Sequence, residues 1–138
     1  MYNFVRQPWK TQELTDQVMR ELYFNNPNGL AGNEDCGQMS AWYVLNAMGF
    51  YSFCPGKPIY SIGRPIFDEV VMNLPNGEKF KVITKNNRAA NKYLQSATLN
   101  GRSLDEPFFT HSDIVAGGTL EFEMGPSEKR ALFNQASF

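Results

Sequence analysis

Two adjacent carboxylates are the residues best placed to do chemistry in this sequence. Glu34 and Asp35 lie in "GNEDCGQMSAW" (residues 32–42), between Gly32 and Gly37 and just ahead of an apolar run. Flanking glycines let the backbone come close to a ligand. An acid resting on a buried helix is held rigidly while its oxygens face a cavity, the placement a general base needs. Hydrolysis of a glycosidic bond takes two carboxyl groups, one to protonate the leaving oxygen and one to activate water or attack. Adjacent side chains diverge, so a second acid has to come from elsewhere. The same residues also have a structural reading. Asp35 at N-cap and Gln38 at N3 fit a capping box, which makes Glu34 a solvated loop residue.

The other candidates are weaker. Trp9 is an aromatic that could stack on a sugar ring or anchor a core. Gln12 and Glu13 could touch a cation, but their place in a first helical turn suits plain solvation. His111, the only histidine, has no nucleophile or metal partner in view, and Asp113 beside it reads as a turn former. Trp42 and Tyr43 read as core. Cys36 and Cys54 are too few for a disulfide framework and lack metal-ligand spacing, so no metal ligand is assigned; both read as small buried residues.

Composition bounds the function. The 138 residues make one ordinary domain or two small units, and 42% hydrophobic content suffices for a core. A net charge of −1 without a basic run speaks against a nucleic-acid partner. No apolar stretch is long enough for a membrane span. "MYNFVRQPWK" is no signal peptide, and its immediate aromatics read as an entry into the middle of a larger protein.

The elements that must position the acids follow from periodicity. Residues 11–24 predict a helix capped by Thr11, with Leu14, Val18 and Leu22 as its apolar stripe. Residues 38–49 predict a second helix, apolar on nearly every side and therefore buried. From Phe50 on the period changes to two, with strands at 66–74, 78–84, 92–99 and 119–124. A hairpin is expected at Asn100-Gly101. The expected fold is α+β: a helical segment over 1–50, then an antiparallel sheet or sandwich over 51–138.

"YNFVRQPWKTQE", "GLAGNEDCGQMSAWYVLNAMGFYSFCPGKPIYSIGRPIF" and "HSDIVAGGTLEFEMG" together resemble the C-terminal part of the family 92 glycoside hydrolases. The resemblance implies a calcium-dependent, inverting exo-α-1,2-mannosidase acting on terminal mannosides of glycans, with N-glycan processing among its roles. It implies that the two helices belong to an (α/α) barrel and that Asp35 is the general base. Glu34 would assist by holding water, sugar or calcium, and Asn33 and Trp9 would contact the sugar. Capping and catalysis are compatible, because one carboxylate oxygen can take helix amides while the other faces water. Arg6 departs from the family pattern, which usually carries a small residue such as Gly there. By resemblance the general acid, most sugar ligands and the principal calcium ligands lie upstream of "YNF". The chain then reads as a truncated, inactive fragment of a secreted, periplasmic or cell-surface enzyme. An incompletely covered apolar helix implies self-association.

Two rival readings remain. A stand-alone carbohydrate-binding β-module would display Tyr51, Tyr60, Tyr93, Phe108 and Phe109 on its sheet. A plain interaction domain would use the exposed side of helix 38–49.

Overall fold

The computed structural model describes residues 2–133. A 3-10 turn, Tyr2–Val5, leads into helix α1, Pro8–Glu21, and helix α2 follows at Gln38–Met48. The strands are β1 Phe50–Tyr51, β2 Ile59–Ile62, β3 Glu69–Asn73, β4 Lys79–Lys85, β5 Tyr93–Leu99, β6 Arg102–Ser103 and β7 Phe108–Thr110. A short helix α3, His111–Val115, precedes β8, Gly118–Gly125. The result is α+β with two sheets: β1-β2-β7 and β3-β4-β8-β5-β6.

Alternation builds the larger sheet. In β4, Phe80, Val82 and Thr84 are buried while Lys79, Lys81 and Lys85 face water. In β8, Leu120, Phe122 and Met124 are buried and Glu121 and Glu123 lie on the other face. Asn100 (φ 51°) and Gly101 (φ 79°) are both left-handed, as a two-residue hairpin turn requires, and they pair Leu99 with Arg102. The expectation of purely antiparallel strands is corrected by β4 and β8, which run parallel from Phe80↔Gly118 to Lys85↔Glu123. Such a pair needs a long crossover, and here β5, β6, β7 and α3 supply it. The small sheet packs on the large one through aromatic rings. Phe109 stacks on Phe80 with centroids 6.1 Å apart, and Phe50 meets Phe109 edge-on at 5.2 Å.

Helix α1 begins three residues earlier than expected, because Pro8 fits the first helical turn, where its missing N–H costs nothing. Thr11 is therefore inside the helix and is not its cap. The face that turns inward also differs. Gln12, Thr15, Asp16 and Met19 are buried, whereas Leu14 and Leu22 are 42% and 45% exposed. Gln12 and Asp16 win places on the inner face because each meets a buried partner there, one by a hydrogen bond and the other by an ion pair. Gln12 Oε1 accepts from the Leu94 amide of β5 at 3.0 Å, and Asp16 Oδ1 lies 3.2 Å from Arg64 Nη1.

Helix α2 stops at Gly49, whose φ of 103° only glycine adopts freely. A Cβ there would stand 3.0 Å from Pro65 and 3.1 Å from Phe122. The expectation of an all-round buried helix is corrected: Asn46 and Ala47 are buried, but Val44 is 54% exposed.

Candidate functional site

The loop ahead of α2 carries the two acids, and three successive left-handed residues shape it. Asp35, Cys36 and Gly37 have φ values of 46°, 60° and 91°. Glycine takes this conformation freely and aspartate tolerates it, but cysteine does so only at a cost. Strain of this kind persists where surrounding bonds hold it, and it concentrates at working sites.

Those bonds come from Glu34. Its carbonyl accepts from the Gly37 amide at 3.2 Å and the Met39 amide at 3.3 Å. Its carboxylate Oε1 accepts from the Ser40 amide at 3.2 Å. Glu34 thus satisfies two of the free amides of the first turn of α2, Met39 through its carbonyl and Ser40 through its carboxylate. The N-cap position itself is Gly37 and has no side-chain cap, which corrects the reading of Asp35 and Gln38 as a capping box. The left-handed turn swings Asp35 away from the helix amides and brings Glu34 beneath them.

The two carboxylates are consequently in different states. Glu34 is half-buried, with Oε2 sealed from solvent and bonded to nothing among the described residues. Asp35 is exposed, and its backbone carbonyl accepts from the Gln38 amide at 3.3 Å, while its carboxylate takes no hydrogen bond among the described residues. Asn33 is exposed beside them.

An aromatic group flanks the loop. Tyr23 stacks on Trp42 with centroids 5.5 Å apart, leans on Tyr43 at 5.0 Å, and donates its hydroxyl to the Met39 carbonyl at 3.3 Å. Tyr51 lies 6.4 Å from Trp42 and accepts from Gln38 Nε2 at 3.5 Å. Burial, then the nearby Glu34 charge, raises the Tyr23 pKa above its ordinary value. Trp42 and Tyr43 are half-buried, so the reading of both as core is corrected. Sequence reasoning missed Tyr23, which it placed inside the helix expected over 11–24, whereas α1 ends at Glu21 and leaves Tyr23 beyond it.

Trp9 belongs elsewhere. It is half-buried in the first turn of α1, with the Arg130 guanidinium 5.5 Å above its ring. Gln12 and Glu13 bond to β5 at Leu94 and Tyr93. His111 Nδ1 is 3.1 Å from the Tyr60 hydroxyl, and Asp113 forms a capping box with Thr110 at the start of α3. Both cysteines are free thiols. Cys36 is exposed and Cys54 half-buried, so the expectation of two buried residues is corrected.

Calcium prefers about six to eight oxygen ligands. Among the described residues no group of three or more His, Cys, Asp or Glu converges on a point. The orphaned Glu34 Oε2 is a single oxygen. These residues alone therefore do not fit a cation.

Residues 1–126 match the glycosyl hydrolase family 92 catalytic domain. The chain belongs to that family. It is 43% identical to the structure of a family GH92 inverting mannosidase from Bacteroides thetaiotaomicron, with a TM-score of 0.85, covering 94% of this chain and 18% of that one. A family GH92 α-mannosidase from the same organism, in complex with mannoimidazole, is 35% identical with a TM-score of 0.89, covering 95% and 18%. An uncharacterized secreted glycosidase of Arthroderma benhamiae is 28% identical over 131 residues, covering 93% of this chain and 17% of that protein. The family 92 chain thus spans less than a fifth of the length of these relatives. Among its described residues no helix is long and apolar enough to cross a membrane.

Proposed function

We propose that these residues supply the water-activating half of an inverting exo-α-1,2-mannosidase site, with Asp35 as the general base. One observation carries the reading. Asp35 is exposed on a strained turn, while its neighbour Glu34 takes over the structural bond to α2. A carboxylate freed from capping and held on a fixed turn can take a proton from water as that water attacks the anomeric carbon. Inversion places the general acid on the opposite side of the sugar, about 6.5–9.5 Å away. Glu34 is committed to Ser40, and the resemblance to family 92 implies that the acid lies in the part of the enzyme upstream of these residues.

The substrate is a terminal mannose of a glycan, as the named activities of the two bacterial relatives support. Tyr23, Trp42 and Tyr51 offer aromatic surface beside the acids, and Asn33 offers an amide. Trp9, under the Arg130 guanidinium in the first turn of α1, is assigned to the sugar by the family resemblance alone. Calcium draws its ligand shell from the rest of a catalytic domain, with α1 and α2 as helices of the (α/α) barrel and the strands from β1 to β8 as the β part. The secreted relative supports an extracellular location. The 138-residue chain alone turns over no mannoside and self-associates through the apolar surface around Phe24 and Val44. Phe109 is buried in the core, which leaves less aromatic surface for a free-standing sugar-binding sheet.

The test uses a polypeptide carrying the whole catalytic domain around these residues. Asp35→Asn keeps shape and tolerance of the left-handed turn while removing the base. The expected loss in kcat is on the order of 10²–10⁴-fold, the usual contribution of a positioned base. A variant with kcat near that of the parent returns Asp35 to the turn.

A further inference from the structure

A second charged site lies away from the acids. Arg20 of α1, Arg64 after β2 and Arg88 of the β4–β5 loop line one cleft of about 280 Å³ together with Asp68 and Asn87. That size is at the small end for ligand pockets. Its charges do not balance. The Asp16 carboxylate is shared between two guanidinium groups, with Arg20 Nε 3.0 Å from Oδ2 and Arg64 Nη1 3.2 Å from Oδ1. Asp68 is the remaining carboxylate, so three positive charges face two negative ones.

Arg64 is the telling member. Its side chain is only 3% exposed, and Nη1 also donates to the Pro65 carbonyl at 3.1 Å. Its Nε is buried and donates to no atom among the described residues. Buried polar groups are nearly always hydrogen-bonded, and an unmet donor on a charged group is costly. Arg88 is exposed and forms no ion pair among the described residues. A planar guanidinium presents two parallel donors, a geometry matched by oxyanions.

We propose that this cleft is an oxyanion-binding site whose ligand is a phosphate group held by Arg64 and Arg88. A tetrahedral phosphate has enough oxygens to meet both guanidinium groups, and it corrects the charge imbalance. Asp68, in the same cleft, repels a bare dianion and is a natural acceptor for a hydroxyl. The site therefore favours a phosphoryl group carried on a sugar over free inorganic phosphate.

The test is a calorimetric titration at fixed ionic strength with two probes, inorganic phosphate and a hexose 6-phosphate. Binding is read directly, so the outcome does not depend on any mannosidase activity. Both probes are expected to saturate, the sugar phosphate more tightly, and Arg88→Ala is expected to weaken both by about tenfold. Asp68→Asn should strengthen inorganic phosphate and narrow the gap between the probes. Arg88 and Asp68 are exposed, so circular dichroism should show both variants folded. Equal affinity for the two probes would keep the oxyanion site and assign it to the free ion. Absence of saturation by either probe in the millimolar range, or affinities unchanged by Arg88→Ala, overturns the proposal.

Discussion

Glu34 Oε1 lies 3.2 Å from the Ser40 amide nitrogen and accepts its hydrogen bond, tying the loop to the first turn of α2. Its other oxygen is buried without a partner. Two substitutions separate these features. Glu34→Ala removes the acceptor and should cost about 1 kcal/mol, the usual worth of such a cap. Glu34→Gln keeps the acceptor for Ser40 and removes the charge while placing an amide NH2 where Oε2 stood, so it should cost less than Glu34→Ala. Urea unfolding of the two variants measures the difference, and equal losses would show that the Ser40 bond contributes nothing.

The Tyr93 hydroxyl donates to Glu13 Oε1, joining β5 to α1. That bond, then burial and the Glu13 charge, pushes its pKa up to about 12 from an ordinary value of 10.0. The folded state therefore holds the phenolic proton more tightly than the unfolded chain. The stabilisation is complete below about pH 10 and is lost as pH rises toward 12. Tyr93 is partly exposed, so screening keeps the effect small. Melting temperatures across that range should fall more steeply for the parent than for Tyr93→Phe. Parallel curves would remove Tyr93 as the cause.

Much of the fold was legible where a local rule decided it. Lys79–Lys85 and Gly118–Gly125 alternate cleanly, and Asn100-Gly101 dictates its hairpin. β1, β2 and β7 span two to four residues, too few for a period to show. The parallel pairing of β4 with β8 is a tertiary fact with no local mark. The inner face of α1 was misread because Gln12 and Asp16 are drawn in by Leu94 and Arg64, both remote in sequence. At the site the acids were visible, but their division of labour was not. It depends on Cys36 turning left-handed (φ 60°), which its residue type disfavours. Arg6, the departure from the family pattern, has a φ of 57°, the region that favours the expected glycine.

The Asp16–Arg64 pair gives a prediction about charge burial. Arg64 is 3% exposed, whereas Arg20, bound to the same carboxylate, is 59% exposed. Burial lowers the Arg64 pKa and Asp16 opposes that, so the buried charge depends on its partner. Asp16→Asn leaves the guanidinium uncompensated and should destabilise by about 3–5 kcal/mol. Arg20→Ala removes only a solvent-screened pair and should cost less than about 1 kcal/mol. Denaturant midpoints for the two variants check the ordering. Comparable losses would mean that Arg64 does not rely on Asp16.

Self-association is the expected outcome of surface that the fold leaves uncovered. Phe24 is 57% exposed and Val44 is 54% exposed. With Leu30 and Tyr43 they line one open groove of about 340 Å³ between the end of α1, residues 25–30 and α2. Adjacent apolar side chains at a surface favour association, because each contact removes apolar area from water. A charge on this groove should oppose that gain without disturbing the core, since exposed substitutions usually change stability by no more than about 0.5 kcal/mol. The parent chain should therefore show a mass by light scattering that rises with concentration, and Val44→Glu combined with Phe24→Glu should hold it at the monomer. Unfolding curves confirm that the double variant is folded. A parent that stays monomeric at high micromolar concentration would show that this groove does not join copies of the chain.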